Sequence, residues 1–187
     1  MYKKQFIDAF NITKSLGFET DSIDLNGALL DQNTRAKIYS TIQNQLGKFS
    51  PEEVSQQCFG ATYILKNELE QLLDKKFYYT LGYIDLEGKS VFYTDFDVLK
   101  GYMGQQNKTF SQPINLHAWL TTTGGEIIDA TLMTTLSVVR KQPELLGGVI
   151  ASVNESLTDL SYHPQIIGEE YLKDCGFMVD FEFWEFS

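Results

Sequence analysis

The stretch Asn115–Leu132, NLHAWLTTTGGEIIDATL, decides both the fold and the candidate site of this chain. Two runs of apolar and β-branched residues flank TTGG, which is typical of a tight turn, so the stretch predicts a β-hairpin. Its first strand carries His117 and its second strand carries Asp129. A histidine base needs an acceptor on one ring nitrogen, and its other nitrogen must face a nucleophile. The hairpin therefore raises the question of whether these two residues belong to a catalytic site.

The register of this hairpin decides whether the two side chains meet. A loop centred on Thr123 places His117 directly opposite Asp129, whereas a loop centred on Gly124 pairs His117 with Thr131. In the second case Asp129 is a diagonal neighbour of His117 on the same face. A loop with an even number of residues places the two side chains on opposite faces. The sequence allows each of these registers.

Cys58, in SQQCFGATYILK, is the candidate nucleophile. The thiolate is the reactive form of cysteine, and both a helix N-terminus and a neighbouring imidazolium favour it. From Cys58 to Leu73 the apolar residues fall mostly at spacings of three and four, which predicts a helix of about four turns. A helix that begins at Cys58 would place the thiol at its N-terminus.

The residues before Cys58 offer a second possible helix start. Ser50, followed by Pro51 and Glu53, has the pattern of a capping box. If that helix runs unbroken to Leu73, Cys58 lies about two turns inside it and loses the helix dipole. We expect instead a short turn over 51–55, a break near 55–57 and a new helix that begins at Cys58.

The composition excludes several classes of protein. The chain has 187 residues, 43% of them hydrophobic, which predicts a single globular domain with a sizeable core. A net charge of −10 argues against nonspecific binding to nucleic acid or to anionic membranes. Two cysteines are too few for a disulfide framework, and neither lies in a zinc-binding pattern. We expect no cofactor and no metal, no signal peptide or transmembrane segment, and a cytoplasmic location.

The elements predicted along the chain indicate an α+β fold. Helical patterns occupy the first half, at 3–15, at 34–47 and from Cys58 to Leu73, and Asn33-Thr34 is the expected cap of the second. The second half has a predicted hairpin from Phe77 to 94, a short helix, a polar loop at 104–113 and the His117 hairpin. The following segments 136–147 and 164–176 are predicted as helix and loop, and 177–186 as a terminal strand. We expect N-terminal helices and a Cys58-bearing helix packed on an antiparallel sheet.

We divide the single domain 1–187 into three parts. Residues 1–49 are expected to form a helical N-terminal extension, residues 50–135 the catalytic core, and residues 136–187 a mixed completion of helix and strand.

The order of these residues resembles the papain-like/transglutaminase-like superfamily of cysteine enzymes. The resemblance rests on Cys58 at a helix start, on the run His117-Ala118-Trp119-Leu120 and on Ile127-Ile128-Asp129-Ala130-Thr131. The chain is similar to the bacterial transglutaminase-like and arylamine-acetyltransferase-like branches of this superfamily, and the similarity covers roughly residues 55–132. The resemblance implies a thiol acyl-transfer mechanism with Cys58 as nucleophile, His117 as base and then acid, and Asp129 as the group that orients the imidazole.

The resemblance also implies an amide substrate in a protein or peptide, so that the enzyme would be a peptidase, a glutamine deamidase or a transglutaminase/acyltransferase. Gln57, Phe59 and Trp119 are the candidates for contact with substrate or oxyanion. The papain branch places its oxyanion glutamine six residues before the cysteine, where this chain has Glu52.

Other interpretations of the same residues stay open. Cys58 is a buried structural residue if the chain is a noncatalytic protein-binding module of the immunity or adaptor type. A third interpretation takes Cys58, His117 and Asp129 as ligands of a zinc ion. His163, in SYHPQIIG, is predicted to lie in a surface loop, and Cys175 is predicted to be structural.

Overall fold

The computed structural model describes residues 1–20, 22–104 and 114–178, in which a helical first half is followed by a strand-rich second half. The helices are α1 (Tyr2–Ser15), α2 (Gln32–Leu46), α3 (Pro51–Gln56), α4 (Cys58–Leu73), α5 (Phe96–Tyr102), α6 (Leu132–Arg140) and α7 (Glu170–Asp174). The strands are β1 (Phe77–Leu86), β2 (Lys89–Val91), β3 (His117–Thr122), β4 (Glu126–Asp129), β5 (Ile150–Val153) and β6 (Leu160–Ile167). The predicted α+β class is confirmed.

The six described strands form one antiparallel sheet organised around the long strand β1. The first half of β1 pairs with β3, its last residues pair with β2, and β6 lies along its other side. The sheet continues from β3 through β4 to β5. This order places the His117 hairpin in the middle of the sheet, where both of its faces are covered.

Each face of the sheet carries its own layer of helix. One face packs against α1, whose residues Tyr2 and Phe6 are almost completely buried. The opposite face packs against α2 and α4 at one end and against α5 and α7 at the other. Because residues alternate between faces along a strand, every residue of β3 is buried. The helices of segment 1–49 are therefore part of the core.

Several predicted boundaries are confirmed. Ser50 caps α3 through a capping box with Glu53, and Pro51 is its first residue. α3 ends at Gln56, Gln57 is non-helical with φ −124° and ψ 34°, and α4 begins at Cys58. The break expected before Cys58 is thus present. Asn33-Thr34 is not the cap of α2, because Asp31 accepts the backbone N–H of Thr34 and the helix begins at Gln32.

The prediction for the last third of the chain is partly wrong. Strand β5 was missed, and β6 replaces the loop expected around His163. Pro164 argues against a strand in the sequence, since proline has no N–H to give to a ladder. The chain accommodates it at a register shift between Leu81 and Gly82 of β1. The loop predicted at 104–113, beyond its first residue, and the terminal strand predicted at 177–186, beyond its first two residues, lie outside the described residues.

No helix in the described part of the chain is long and apolar enough to cross a membrane.

Candidate active site

The hairpin adopts the register centred on Gly124. Leu120 pairs with Ile128 and Thr121 pairs with Ile127, across a turn in which Gly125 has a positive φ of 81°. This odd-numbered loop keeps His117 and Asp129 on one face as diagonal neighbours. Both residues lie at the end of the hairpin away from the turn, where β3 begins and β4 ends.

His117 and Asp129 form a buried hydrogen-bonded ion pair. Nε2 of His117 lies 2.7 Å from Oδ2 of Asp129, and the two residues are only 1% and 2% exposed. Burial lowers the pKa of His117, but the charge of Asp129 and the hydrogen bond to it outweigh burial. The pKa of His117 is therefore raised well above its ordinary value. Burial likewise opposes the charge of Asp129, yet His117 and two backbone N–H groups hold the pKa of this carboxyl below its usual value.

Asp129 accepts further hydrogen bonds that fix the carboxylate in place. Its Oδ1 accepts the backbone N–H groups of Thr131 and Leu132, at 2.9 and 3.0 Å, where α6 begins. Its Oδ2 also accepts the hydroxyl of Tyr162, at 2.8 Å. A carboxylate held by this many donors is charged and rigid, as an orienting group for an imidazole must be.

Cys58 is the first residue of α4 and meets the imidazole at the start of β3. Hydrogen-bonding and charge interactions with Cys58 raise the pKa of His117 further. Because Nε2 of His117 faces Asp129, the other ring nitrogen, Nδ1, is the one left for the thiol. Cys58 is partly exposed, in contrast to the fully buried Cys175. Cys58 is thus the most exposed of the three candidate residues.

Two hydrogen bonds hold the start of α4 against the sheet. Oγ1 of Thr62, one turn after Cys58, donates to the carbonyl of Ala118, the residue after His117. The hydroxyl of Tyr79 donates to the carbonyl of Phe59, at 3.0 Å. These contacts anchor the first turn of α4 beside the start of β3.

The segment before Cys58 is held by the helix that follows Asp129. α3 packs against α6, and Oγ1 of Thr135 in α6 donates to the carbonyl of Ser55, at 3.4 Å. Asp129 in turn binds the first backbone N–H groups of α6. The chain therefore positions Cys58 from both sides, through α4 and through α6.

No protein-family model, curated protein sequence or solved structure matches this chain. Its function is therefore inferred from the geometry of its own residues.

The three candidates for substrate or oxyanion contact occupy different places. Gln57 is exposed directly before Cys58, and Phe59 is partly buried directly after it. Trp119 is completely buried, and its indole N–H donates to the hydroxyl of Tyr2. The structure thus places Trp119 in the core instead of at an exposed site. The first backbone N–H groups of a helix have no partner within it, so those at the start of α4 are available as oxyanion donors.

Sequence reasoning missed two residues that contact the pair. Tyr162 binds Asp129, and the ring of Phe92 stacks on His117 with centroids 4.9 Å apart. Tyr162 lies on β6 and Phe92 follows β2, far from the hairpin in the sequence. No local motif marks either one. Only the pairing of β1 with both β2 and β6 brings them to the site.

The other titratable residues considered in the sequence do not join this site. His163 lies in β6, bonded to Asp85 and stacked on Tyr83. Burial raises the pKa of Cys175 to about 11, which suits the structural role predicted for it. Among the described residues, no group of three or more His, Cys, Asp or Glu side chains is arranged to hold a metal ion, so the zinc interpretation finds no support there.

A cavity of about 550 Å³ lies away from Cys58, beside the first residues of β1. Its lining includes Phe77 and Tyr78 together with charged side chains such as Lys66 and Glu70. Cys58, His117 and Asp129 do not line it.

Proposed function

We propose that the protein is a thiol-dependent enzyme that transfers the acyl group of an amide through Cys58, His117 and Asp129. The observation that carries the proposal is the place of His117, which bonds Asp129 through one ring nitrogen and interacts with Cys58 at the start of α4. The thiol then has an imidazole base, and the imidazole has a carboxylate that orients it, as acyl transfer to a cysteine requires. The order Cys, His, Asp along the chain supports membership of the papain-like/transglutaminase-like superfamily, as does a cysteine-bearing helix packed on the sheet of His and Asp.

In the first half of the reaction, the Cys58 thiolate attacks the carbonyl carbon of the amide. The tetrahedral intermediate collapses when the C–N bond breaks, and imidazolium His117 gives its proton to the leaving amine nitrogen. The product is a thioester on Sγ of Cys58. Asp129 keeps the imidazole in one orientation and stabilises its positive charge throughout.

In the second half, a nucleophile attacks the thioester carbonyl while His117 removes its proton. Water as nucleophile gives a carboxylic acid, so the enzyme would be a peptidase or a glutamine deamidase. A primary amine gives a new amide, so the enzyme would be a transglutaminase or another acyltransferase. In both cases the C–S bond breaks and Cys58 is regenerated. We propose a protein or peptide as the substrate and the cytoplasm as the location.

The test is the rate at which iodoacetamide alkylates Cys58, measured across pH, with mass spectrometry to assign the label between Cys58 and Cys175. An activated pair predicts fast labelling of Cys58 near neutral pH and slow labelling of buried Cys175. His117→Ala is expected to slow the labelling of Cys58 by at least about tenfold, because the thiolate loses its imidazolium partner.

His163→Ala is the matched control, since it removes the other histidine and leaves the pair intact. Labelling of Cys58 that is slow, or that is unchanged in His117→Ala, would contradict the proposal. The transfer step itself is tested by intact mass: a glutamine-containing peptide should leave an acyl group on wild-type protein and none on Cys58→Ala. Addition of a primary amine then distinguishes transfer from hydrolysis by the product formed.

A noncatalytic protein-binding module of the immunity or adaptor type is the second candidate, and one observation favours it. His117 and Asp129 are almost completely buried, as a purely structural ion pair would be. This function predicts slow alkylation of Cys58 that does not depend on His117. The alkylation experiment therefore separates the two candidates.

A further inference from the structure

The ring of Phe92 covers one side of the His117 imidazole. The two ring centroids are 4.9 Å apart and the ring planes are inclined by 27°. On the same imidazole, Trp119 lies farther away, at 6.3 Å. Offset stacking of this kind fixes the plane of a ring as well as its position. Phe92 is thus the nearer of the two aromatic rings that hold the plane of His117.

The backbone of Phe92 adopts a conformation that a bulky residue rarely takes. Its φ is +60°, in the left-handed region that favours glycine. The other described non-glycine residues with positive φ are Asp74, Glu87, Lys141 and Asp159, all of them polar residues. Phe92 alone among them is aromatic. Such strain is retained where surrounding contacts enforce it, and it concentrates at functional sites.

Contacts on both sides hold the segment that carries Phe92. Two residues later, Oγ1 of Thr94 donates to the carbonyl oxygen of Asn115, at 2.9 Å. The same Oγ1 accepts the backbone N–H of Asn115, at 3.0 Å. Asn115 is two residues before His117. Nε2 of Gln165 donates to the carbonyl of Thr94, at 2.9 Å, from the register shift in β6. The segment is therefore tied to the strand of His117 and to the strand next to it.

We propose that Phe92 is a positioning residue, whose ring holds the imidazole of His117 in the plane that serves both Asp129 and Cys58 and keeps water from one face of that imidazole. The strained backbone at Phe92 is the consequence of aiming this ring inward from the end of β2. This role rests on the proposed function, because it acts through His117.

The experiment compares Phe92→Leu with wild type by NMR of the histidine side chains at a series of pH values. The chain has two histidines, so His163→Gln assigns both sets of signals. Loss of the stacked ring is expected to move the His117 ring-proton signals downfield, to shift the pH at which His117 titrates, because the imidazole is held less firmly against Asp129, and to slow alkylation of Cys58 on the order of tenfold. Tyr93→Leu is the matched control, because Tyr93 makes an edge-to-face contact with Tyr83 and its substitution is expected to leave His117 unchanged.

Phe92→Gly separates the ring from the backbone, since glycine accepts a positive φ without strain. A positioning role predicts that Phe92→Gly perturbs His117 as Phe92→Leu does, and that Phe92→Tyr restores wild-type behaviour even if the leucine variant folds poorly. Unchanged His117 titration in Phe92→Gly, beyond the loss of the ring-current shift, would overturn the proposal. Because this titration is read without turnover or thiol reactivity, it tests Phe92 even if Cys58 is inert and the proposed function fails.

Discussion

Asp129 is the residue on which the candidate site depends most, because it keeps His117 charged in a place where burial alone would make it neutral. Folding raises the pKa of His117, so the stability that His117 contributes is complete below its ordinary value of ~6.5 and is lost as the pH rises above it. Folding lowers the pKa of Asp129, so the contribution of Asp129 is present above about pH 4 and is lost in acid. The pair therefore stabilises the protein most between these two values.

We predict that Asp129→Asn weakens this pH dependence above pH 6.5. In wild type the urea concentration at the midpoint of unfolding should decrease as the pH is raised from 6 to 9, because His117 approaches neutrality. In Asp129→Asn the imidazole loses its carboxylate counter-charge and keeps only the interaction with Cys58, so burial lowers its pKa relative to wild type. The variant should be less stable than wild type at pH 6 and should show a smaller fall by pH 9.

Urea denaturation at several pH values measures the effect, with His163→Gln as the control that should keep the wild-type dependence. The same fall in Asp129→Asn as in wild type would show that the charge of His117 does not depend on Asp129.

At the scale of single residues, the sequence predicts only those residues of the site that lie in a local pattern. Cys58 follows a polar run and begins a periodic apolar segment, and His117 and Asp129 flank a turn. Tyr162 is 33 residues beyond Asp129 and reaches it only because β6 returns beside β1. Phe92 requires a backbone conformation that nothing in its neighbourhood indicates. Residues that act through long-range pairing escape analysis of a single sequence.

Helix α2 is joined to the hairpin by an ion pair whose carboxylate is buried and whose guanidinium is partly exposed. Glu126, the first residue of β4, is completely buried and accepts from Arg35 in α2. The guanidinium of Arg35 also donates to the carbonyls of Ala151 and Leu30. The other carboxylate oxygen of Glu126 accepts the backbone N–H of Leu30. The contacts of Arg35 with Glu126 and with Ala151 join α2 to the strands β4 and β5.

We predict that Arg35→Met destabilises the protein by about 3 to 5 kcal/mol, because it leaves the Glu126 carboxylate buried without its partner. The urea midpoint should fall while the slope of the transition stays the same. Arg140→Met is the matched control, since Arg140 pairs with Glu87 at the surface and its loss should change stability little.

Adding Glu126→Gln to Arg35→Met should recover part of the loss, since the uncompensated charge is then removed. If Arg35→Met were as stable as Arg140→Met, water would have to solvate the Glu126 carboxylate in place of the Arg35 guanidinium, which would contradict the prediction.

The elements were predicted with unequal success for a physical reason. α4 and the hairpins β1–β2 and β3–β4 have strong periodicity or turn residues, so their presence follows from local signals, although β2 ends at Val91 and the predicted strand ran to 94. β6 contains Pro164 and a register shift, so its alternation is interrupted, and its strand conformation comes from pairing with β1. Tertiary contact overrides local preference there.

For the whole molecule, the first helix is as much a part of the core as the sheet. The hydroxyl of Tyr2 bonds Oγ1 of Thr121, at 2.6 Å, and accepts the indole N–H of Trp119, at 2.7 Å. Tyr2 itself is 1% exposed. The sequence predicted helix α1 correctly, but it gave no sign that α1 covers the face of the sheet that carries His117 and Asp129.

We predict that Tyr2→Ala destabilises the protein by about 4 kcal/mol, through the cavity left by the ring and the loss of one hydrogen bond each by Trp119 and Thr121. Ile7→Ala on the same helix is the matched control. Ile7 is 43% exposed, and its truncation should cost about 1 kcal/mol or less. Chemical denaturation of both variants measures the difference, and equal losses would contradict a special role for Tyr2.

The outer side of β6 has a further consequence, for the behaviour of the protein in concentrated solution. The backbone N–H of Tyr162 donates to the side chain of Asn154, and the backbone N–H of Ile167 donates to the hydroxyl of Thr13 in α1. Pro164, between them, has no N–H. Among the described strands β6 pairs only with β1, so this side is an edge without a free donor at these three positions. An exposed edge recruits strands from other molecules, and these contacts prevent it. Displacement of α1 would therefore free the N–H of Ile167 and open this part of the edge to a strand of another molecule.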